Sequence, residues 1–176
     1  MQNNGLKYGV YGALVITVYI LGLYFVDNHL MVNGFLTYWL PLICLMPPLM
    51  YKACLDELRQ NGAKDFRETL RTPFLVFAIA NVAFWLCLYG LHLADPNITR
   101  MELTQQLAYA QEQLKQGMGD PQQMNQIRQQ INDIQAEMNH IQQPLGPYFF
   151  SMMIWMLLGF GISAAITGIV RAKQTS

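Results

Sequence analysis

Chemistry in this chain would have to come from very few side chains. His92 and Asp95 stand three residues apart at the end of a long apolar run. That spacing puts an imidazole and a carboxylate on one helix face, where they can share a proton or begin a metal site. No third ligand accompanies them at a useful spacing, so the pair reads as one hydrogen bond at a membrane interface. Cys44, Cys54 and Cys87 are scattered, without CxxC or Cys/His spacing, which argues against a disulfide framework or a zinc site. Asn81 is the polar residue at the middle of the same apolar run. No Asp, Glu, Lys or Arg lies mid-run anywhere, which weakens coupled transport, because proton and sodium relays use buried carboxylates. Paired carboxylates, a nucleophile with its base and a histidine cluster are all missing from the pattern. The expectation is therefore a protein that is not an enzyme, with no catalytic, cofactor-binding or metal-ligating residues. Asn97-Ile98-Thr99 matches a glycosylation sequon, but its closeness to an apolar run argues against its use.

The elements that would position these residues are membrane spans. Apolar residues make up 53% of the 176-residue chain and charged residues 12%, where a soluble domain carries roughly 25% charged. The charges are segregated, leaving Tyr8–Val26, Phe35–Tyr51, Thr72–Ala94 and Leu145–Val170 without any. A bilayer core needs roughly 20 apolar residues in helical form, so each window is long enough to cross it, the second barely. The spans are placed at about 8–26, 35–55, 72–94 and 145–170 of a single four-span domain. The first is too long an apolar run for a signal peptide, lacks a small-x-small cleavage site before Asp27, and reads as a retained span.

Basic residues orient the spans. Lys7, Lys52, Arg59, Lys64, Arg67, Arg71, Arg171 and Lys173 fall on one side, and Arg100, Lys115 and Arg128 on the other. Lys and Arg are retained on the cytoplasmic face. Both termini are accordingly expected in the cytoplasm, with the loop between spans three and four outside. The second loop, KACLDELRQNGAKDFRETLR, alternates in sign around an Asn61-Gly62 turn. It predicts a helical extension of span two, then a short amphipathic lead-in to span three, with cations available to anionic headgroups.

Residues 97–143, between spans three and four, are too many for an unstructured connection in a compact protein. Met124, Ile127, Ile131, Ile134, Met138 and Ile141 alternate steps of three and four, the pattern of a heptad seam. Leu103, Leu107, Ala110 and Leu114 offer the facing stripe. Gly117 and Gly119 suit a helix stop, and Asp120 with Pro121 suits the next start. Folding back there pairs Leu114 with Met124, Ala110 with Ile127, Leu107 with Ile131 and Leu103 with Ile134. The expectation is an antiparallel two-helix coiled-coil hairpin with arms roughly 30 Å long. Its tip, Gly117, Met118, Gly119, Asp120 and Pro121, is the candidate partner contact. Pairing between two chains instead of within one satisfies the same seam. The outer face is Gln and Asn with few cations, unlike a nucleic-acid surface.

Small residues recur at helical spacing within the spans. Gly9 and Ala13, with Gly5 and Thr17, line the first; Gly159, Gly161, Ser163, Ala165 and Gly168 lie on neighbouring faces of the last. Such stripes let helix backbones approach in lipid, within one chain or in a homo-oligomer. Pro41, Pro47 and Pro48 each remove an amide donor from span two and leave a carbonyl that lipid cannot satisfy. A kink accommodated by packing is the expected outcome, and a broken helix lining a transport path the alternative.

KYGVYGALVI, NGAKDFRETLR, LADPNITRMEL and a glycine-rich last span together resemble a family of uncharacterised four-span bacterial membrane proteins, a domain of unknown function typical of Bacteroidetes. The glutamine-rich heptad insert and the Pro-Pro of span two depart from that pattern. The resemblance implies the inner membrane of a Gram-negative cell and brings no activity with it. The reading reached is an all-α membrane protein, in contact with lipids and with other membrane or periplasmic proteins. It would serve as an accessory or scaffolding subunit, or alternatively as a small transporter or channel component.

Overall fold

A computed structural model describes residues 4–62, 65–116, 121–141 and 144–175. Among the described residues every long element is a helix and none is a strand. Helix α1 spans Asn4–Val26 and α2 spans Met46–Asn61, entered through a π-helical segment, Phe35–Leu45. Then come α3 (Phe66–Ala94), α4 (Pro96–Lys115), α5 (Pro121–Asn139) and α6 (Leu145–Thr175). Four stretches, Asn4–Val26, Phe35–Gln60, Phe66–Ala94 and Leu145–Lys173, are long and apolar enough to cross a bilayer. Only 22% to 39% of the most apolar part of each is buried within the chain. Outward faces carry Val18, Phe25, Phe150 and Leu157 at 68–79% exposure. Large apolar side chains displayed all round a helix bundle are stable against lipid and costly against water. The chain is a multi-pass integral membrane protein.

Local chemistry sets the element ends. The Asp27 carboxylate accepts from His29 N at 2.9 Å, capping a 3-10 turn over Asn28–Val32 that ends the first connection. Asn33 Oδ1 accepts from the amides of Phe35 (3.1 Å) and Leu36 (3.3 Å), supplying partners to two orphan donors of the next helix. Gly62 closes α2 with φ 75°, a conformation that disfavours any side chain, and its amide reaches Leu58 O at 3.0 Å. The amphipathic lead-in to span three is no separate piece. It is continuous with α3, which begins at Phe66 and carries Pro73 inside it.

The chain divides into two compact units, Met1–Tyr89 with Leu145–Ser176, and Gly90–Pro144. The first is the bundle of α1, α2, most of α3 and α6. Its core is the fully buried Ile16, Ile20, Leu42, Met46, Met50, Phe77, Phe84 and Leu88. The second holds the last turn of α3 and the antiparallel hairpin of α4 and α5.

Candidate functional site

The hairpin is built on a short list of positions. Asp95 caps α4 by accepting from Asn97 N at 3.0 Å, and Pro96 occupies the first turn, where its missing donor is no loss. Leu103 (5% exposed), Ala110 (2%) and Ile134 (5%) are buried along the shared stripe. Leu107, Leu114, Met124, Ile127, Ile131, Met138 and Ile141 are half-buried beside them. Every residue of the heptad pattern thus avoids full exposure. The Gln and Asn positions between them, such as Gln105, Gln106, Asn125, Gln129 and Asn132, are exposed. Tyr109 is the large ring on this outer surface, 65% exposed. Gly117, Met118, Gly119 and Asp120 lie outside the described residues, and Pro121 opens α5.

At the base of the hairpin the imidazole of His92 meets a second carboxylate, that of Glu102. His92, 1% exposed, places Nε2 3.3 Å from Glu102 Oε2 on α4. Asp95 Oδ1 serves the α4 cap, and its extended backbone ends α3 at Ala94. The same unit buries Ile98 completely. No group of three or more His, Cys, Asp or Glu able to hold a metal exists among the described residues.

Polar joints hold the bundle. At one end of α1 and α2, Asn4 Nδ2 donates to Glu57 Oε2 (3.1 Å) and to Gln60 Oε1 (2.9 Å), and Tyr8 OH donates to Asp56. Lys173 Nζ on α6 reaches Tyr51 OH at 3.4 Å, and the Arg171 guanidinium lies 6.0 Å from the Phe66 ring. Deeper in the bundle, Asn81 Nδ2 donates to Met152 O on α6 at 3.0 Å, while its Oδ1 accepts from Trp85 Nε1 at 3.1 Å. The mid-run asparagine is therefore a helix–helix clamp. Cys54 is buried within hydrogen-bonding reach of Thr167.

Span two resolves its prolines in a way the sequence did not suggest. In a π-helix the amide of residue 41 would bond the carbonyl five residues back, at Leu36. Pro41 has no amide, and Tyr19 OH from α1 donates to Leu36 O at 2.9 Å in its place. Pro41 itself is buried, whereas Pro47 and Pro48 follow at the point where the π-helical segment passes into α2.

The small-residue stripes are used selectively. A Cβ at Gly9 would meet Ile79 Cδ1 at 2.6 Å, and one at Gly12 would meet Met46 Sδ at 3.2 Å. The buried face of α1 thus runs through Gly5, Gly9, Gly12, Ile16 and Ile20, leaving Ala13 half-buried at its margin. On α6, a Cβ at Gly159 would overlap the Phe77 ring. Ser163 Oγ returns its proton to Gly159 O at 2.6 Å, and Thr167 Oγ1 to Ser163 O at 2.8 Å, so the hydroxyls stay satisfied while buried. Gly161, Ala165 and Gly168 are exposed on the outer surface of the single chain, where packing against a second copy is left open. A Cβ at Gly161 or Gly168 meets nothing within 4 Å. One helix can bury only one stripe against its neighbours, and α6 buries the one bearing the hydroxyls.

No curated protein and no solved structure matches the chain. One family model, described as a protein of unknown function (DUF4199), matches residues 7–173, and with nearly its whole length covered the chain belongs to that family.

Proposed function

We propose that this is a non-catalytic accessory or scaffolding subunit of a bacterial inner-membrane assembly. Its termini and the basic loop between spans two and three would face the cytoplasm, and its α4–α5 hairpin would meet a partner protein in the periplasm. The placement of Lys and Arg supports that orientation. The observation that carries the reading is the hairpin itself. Its apolar stripe is consumed between its own two helices, so the exposed Gln, Asn and Tyr109 surfaces are not needed for its fold. Polar amide side chains around a single exposed ring suit a hydrogen-bonding protein surface better than lipid or nucleic acid. A cysteine at Gly119, in a background free of the three native thiols, tests this by crosslinking in native membranes. One discrete product with a different protein is expected. A smear of random products would remove the docking role.

The π-helical segment favours a second reading, a small transporter component with span two beside the path, since such segments concentrate at functional sites. The Tyr19 bond to Leu36 O weighs against it, because a carbonyl lining a wet path would be satisfied by water. Replacing Pro47 and Pro48 would abolish flux under that reading and alter stability alone under the first.

A further inference from the structure

A crevice of about 170 Å3 opens between α3 and α6, lined by Val82, Trp85, Leu86, Tyr89, Leu145, Tyr148, Phe149 and Met152. Its rim lies on the outer surface of the bundle: Leu86 is 64% exposed, Leu145 57% and Phe149 55%. Those residues continue the apolar face that α3 and α6 turn to the membrane, alongside Phe150, Ile154 and Leu157. Its floor includes Trp85, which is 7% exposed, packs edge-on against Phe84 and is 6.3 Å from Tyr148 between ring centroids. Rigid aromatic walls prevent the two helices from collapsing to fill the space. A second clamp acts with them, since Asn81 ties α3 to α6 through Met152 O and holds the Trp85 indole on its own helix.

The chemistry of the wall selects the occupant. Almost no polar atom reaches it, and the indole N–H of Trp85 is already spent on Asn81. A ligand bearing hydroxyls, carbonyls or charge would lose its own hydrogen bonds on entry without replacement. Water is excluded for the same reason, as an apolar cavity of about 150 Å3 stays dry and takes a hydrocarbon instead. An empty crevice would forfeit dispersion contacts along its lining. The mouth faces the hydrocarbon of the bilayer, so the medium supplies the matching ligand. We propose that this crevice is a lipid-binding site that holds one acyl chain of a membrane phospholipid between Trp85 and Phe149. This goes beyond the docking role of the hairpin and does not depend on it.

Tryptophan emission reads the site directly. Two full-length single-tryptophan proteins would be reconstituted in phosphatidylcholine vesicles with a rising share of phospholipid brominated on its acyl chains. One keeps Trp85 (Trp39→Phe with Trp155→Phe), and the other keeps Trp39 (Trp85→Phe with Trp155→Phe). Trp39, 53% exposed, reports contact with bulk lipid, whereas a chain reaches Trp85 through the crevice. Emission from Trp85 is expected to fall as far as that from Trp39. Val82→Phe, which puts a ring across the mouth, is expected to restore most of the Trp85 emission and leave the Trp39 loss unchanged. In native mass spectrometry the unaltered chain should retain one phospholipid through detergent exchange, and the Val82→Phe chain none. Trp85 emission insensitive to brominated chains would overturn the proposal, as would quenching and lipid retention that Val82→Phe leaves intact.

Discussion

The bundle and the hairpin are both helical, yet they are held by different forces. In the hairpin, a narrow stripe through Leu103, Ala110 and Ile134 is buried and the remaining surface is polar, so water drives the two helices together. In the bundle, side chains as apolar as Leu14, Val18, Leu157 and Ile169 face outward, and burying one more brings no such gain. Its helices associate through close backbone approach at Gly9, Gly12 and Gly159, and through polar joints at Asn4, Tyr8, Tyr19 and Asn81. The contrast teaches which residue type matters where. Large apolar residues specify the hairpin, and small or hydrogen-bonding ones specify the bundle.

The sharpest way to break that contrast is to enlarge a glycine. Gly159→Leu drives a branched side chain into Phe77 and should cost the bundle about 3 kcal/mol, the upper end for overpacking a site that cannot relax. Gly161→Leu, where no neighbour lies within 4 Å, should leave the same detergent melting temperature unchanged. Equal loss from both would mean that close approach is not what holds the helices. The next effect belongs to the hairpin. Ile134→Ala should remove about 2 kcal/mol, the low end for a buried Ile because the seam is narrow. Amide exchange followed by mass spectrometry should then accelerate across α4 and α5, with α1 and α6 unaffected. Faster exchange in the bundle would contradict the division into two units. The smallest effect is the removal of one hydroxyl. Tyr19→Phe withdraws the donor from Leu36 O and should cost about 1 kcal/mol, typical of a hydrogen bond between membrane helices. Its infrared amide signature should show a freed carbonyl; an unchanged spectrum and melting point would mean that the π-segment is satisfied without α1.

Much of this architecture was legible because charge and periodicity are strong signals. The windows free of charge locate the four long apolar helices, and the three-four rhythm from Met124 to Met138 marks the residues of α5 that avoid exposure, with Ile141 beyond the end of that helix. Less was legible where two patterns compete on one helix. Gly9 lies on the buried face of α1 as its spacing suggested, but Gly12 shares that face and Ala13 does not. Gly161, Ala165 and Gly168 form as regular a stripe as Gly159, Ser163 and Thr167, and periodicity cannot rank two stripes of the same helix. The contact of His92 with Glu102 was not legible, because ten residues and a helix break separate the two.

By itself, then, the sequence determined what depends on local composition: four apolar helices, a polar heptad hairpin between the third and fourth, and a strong bias of basic charge toward one side. These follow from the cost of placing charges and unpaired amides in hydrocarbon, which each segment meets on its own. Tertiary structure alone decided what depends on two segments meeting. It selected which small residues became contacts, brought the Tyr19 hydroxyl to the carbonyl left by Pro41, and made Asn81 a clamp between α3 and α6. It also left a crevice between α3 and α6. Inside lipid every helix is apolar on all sides, so pattern cannot say which side turns inward, and the choice falls to shape and to the few hydrogen bonds available.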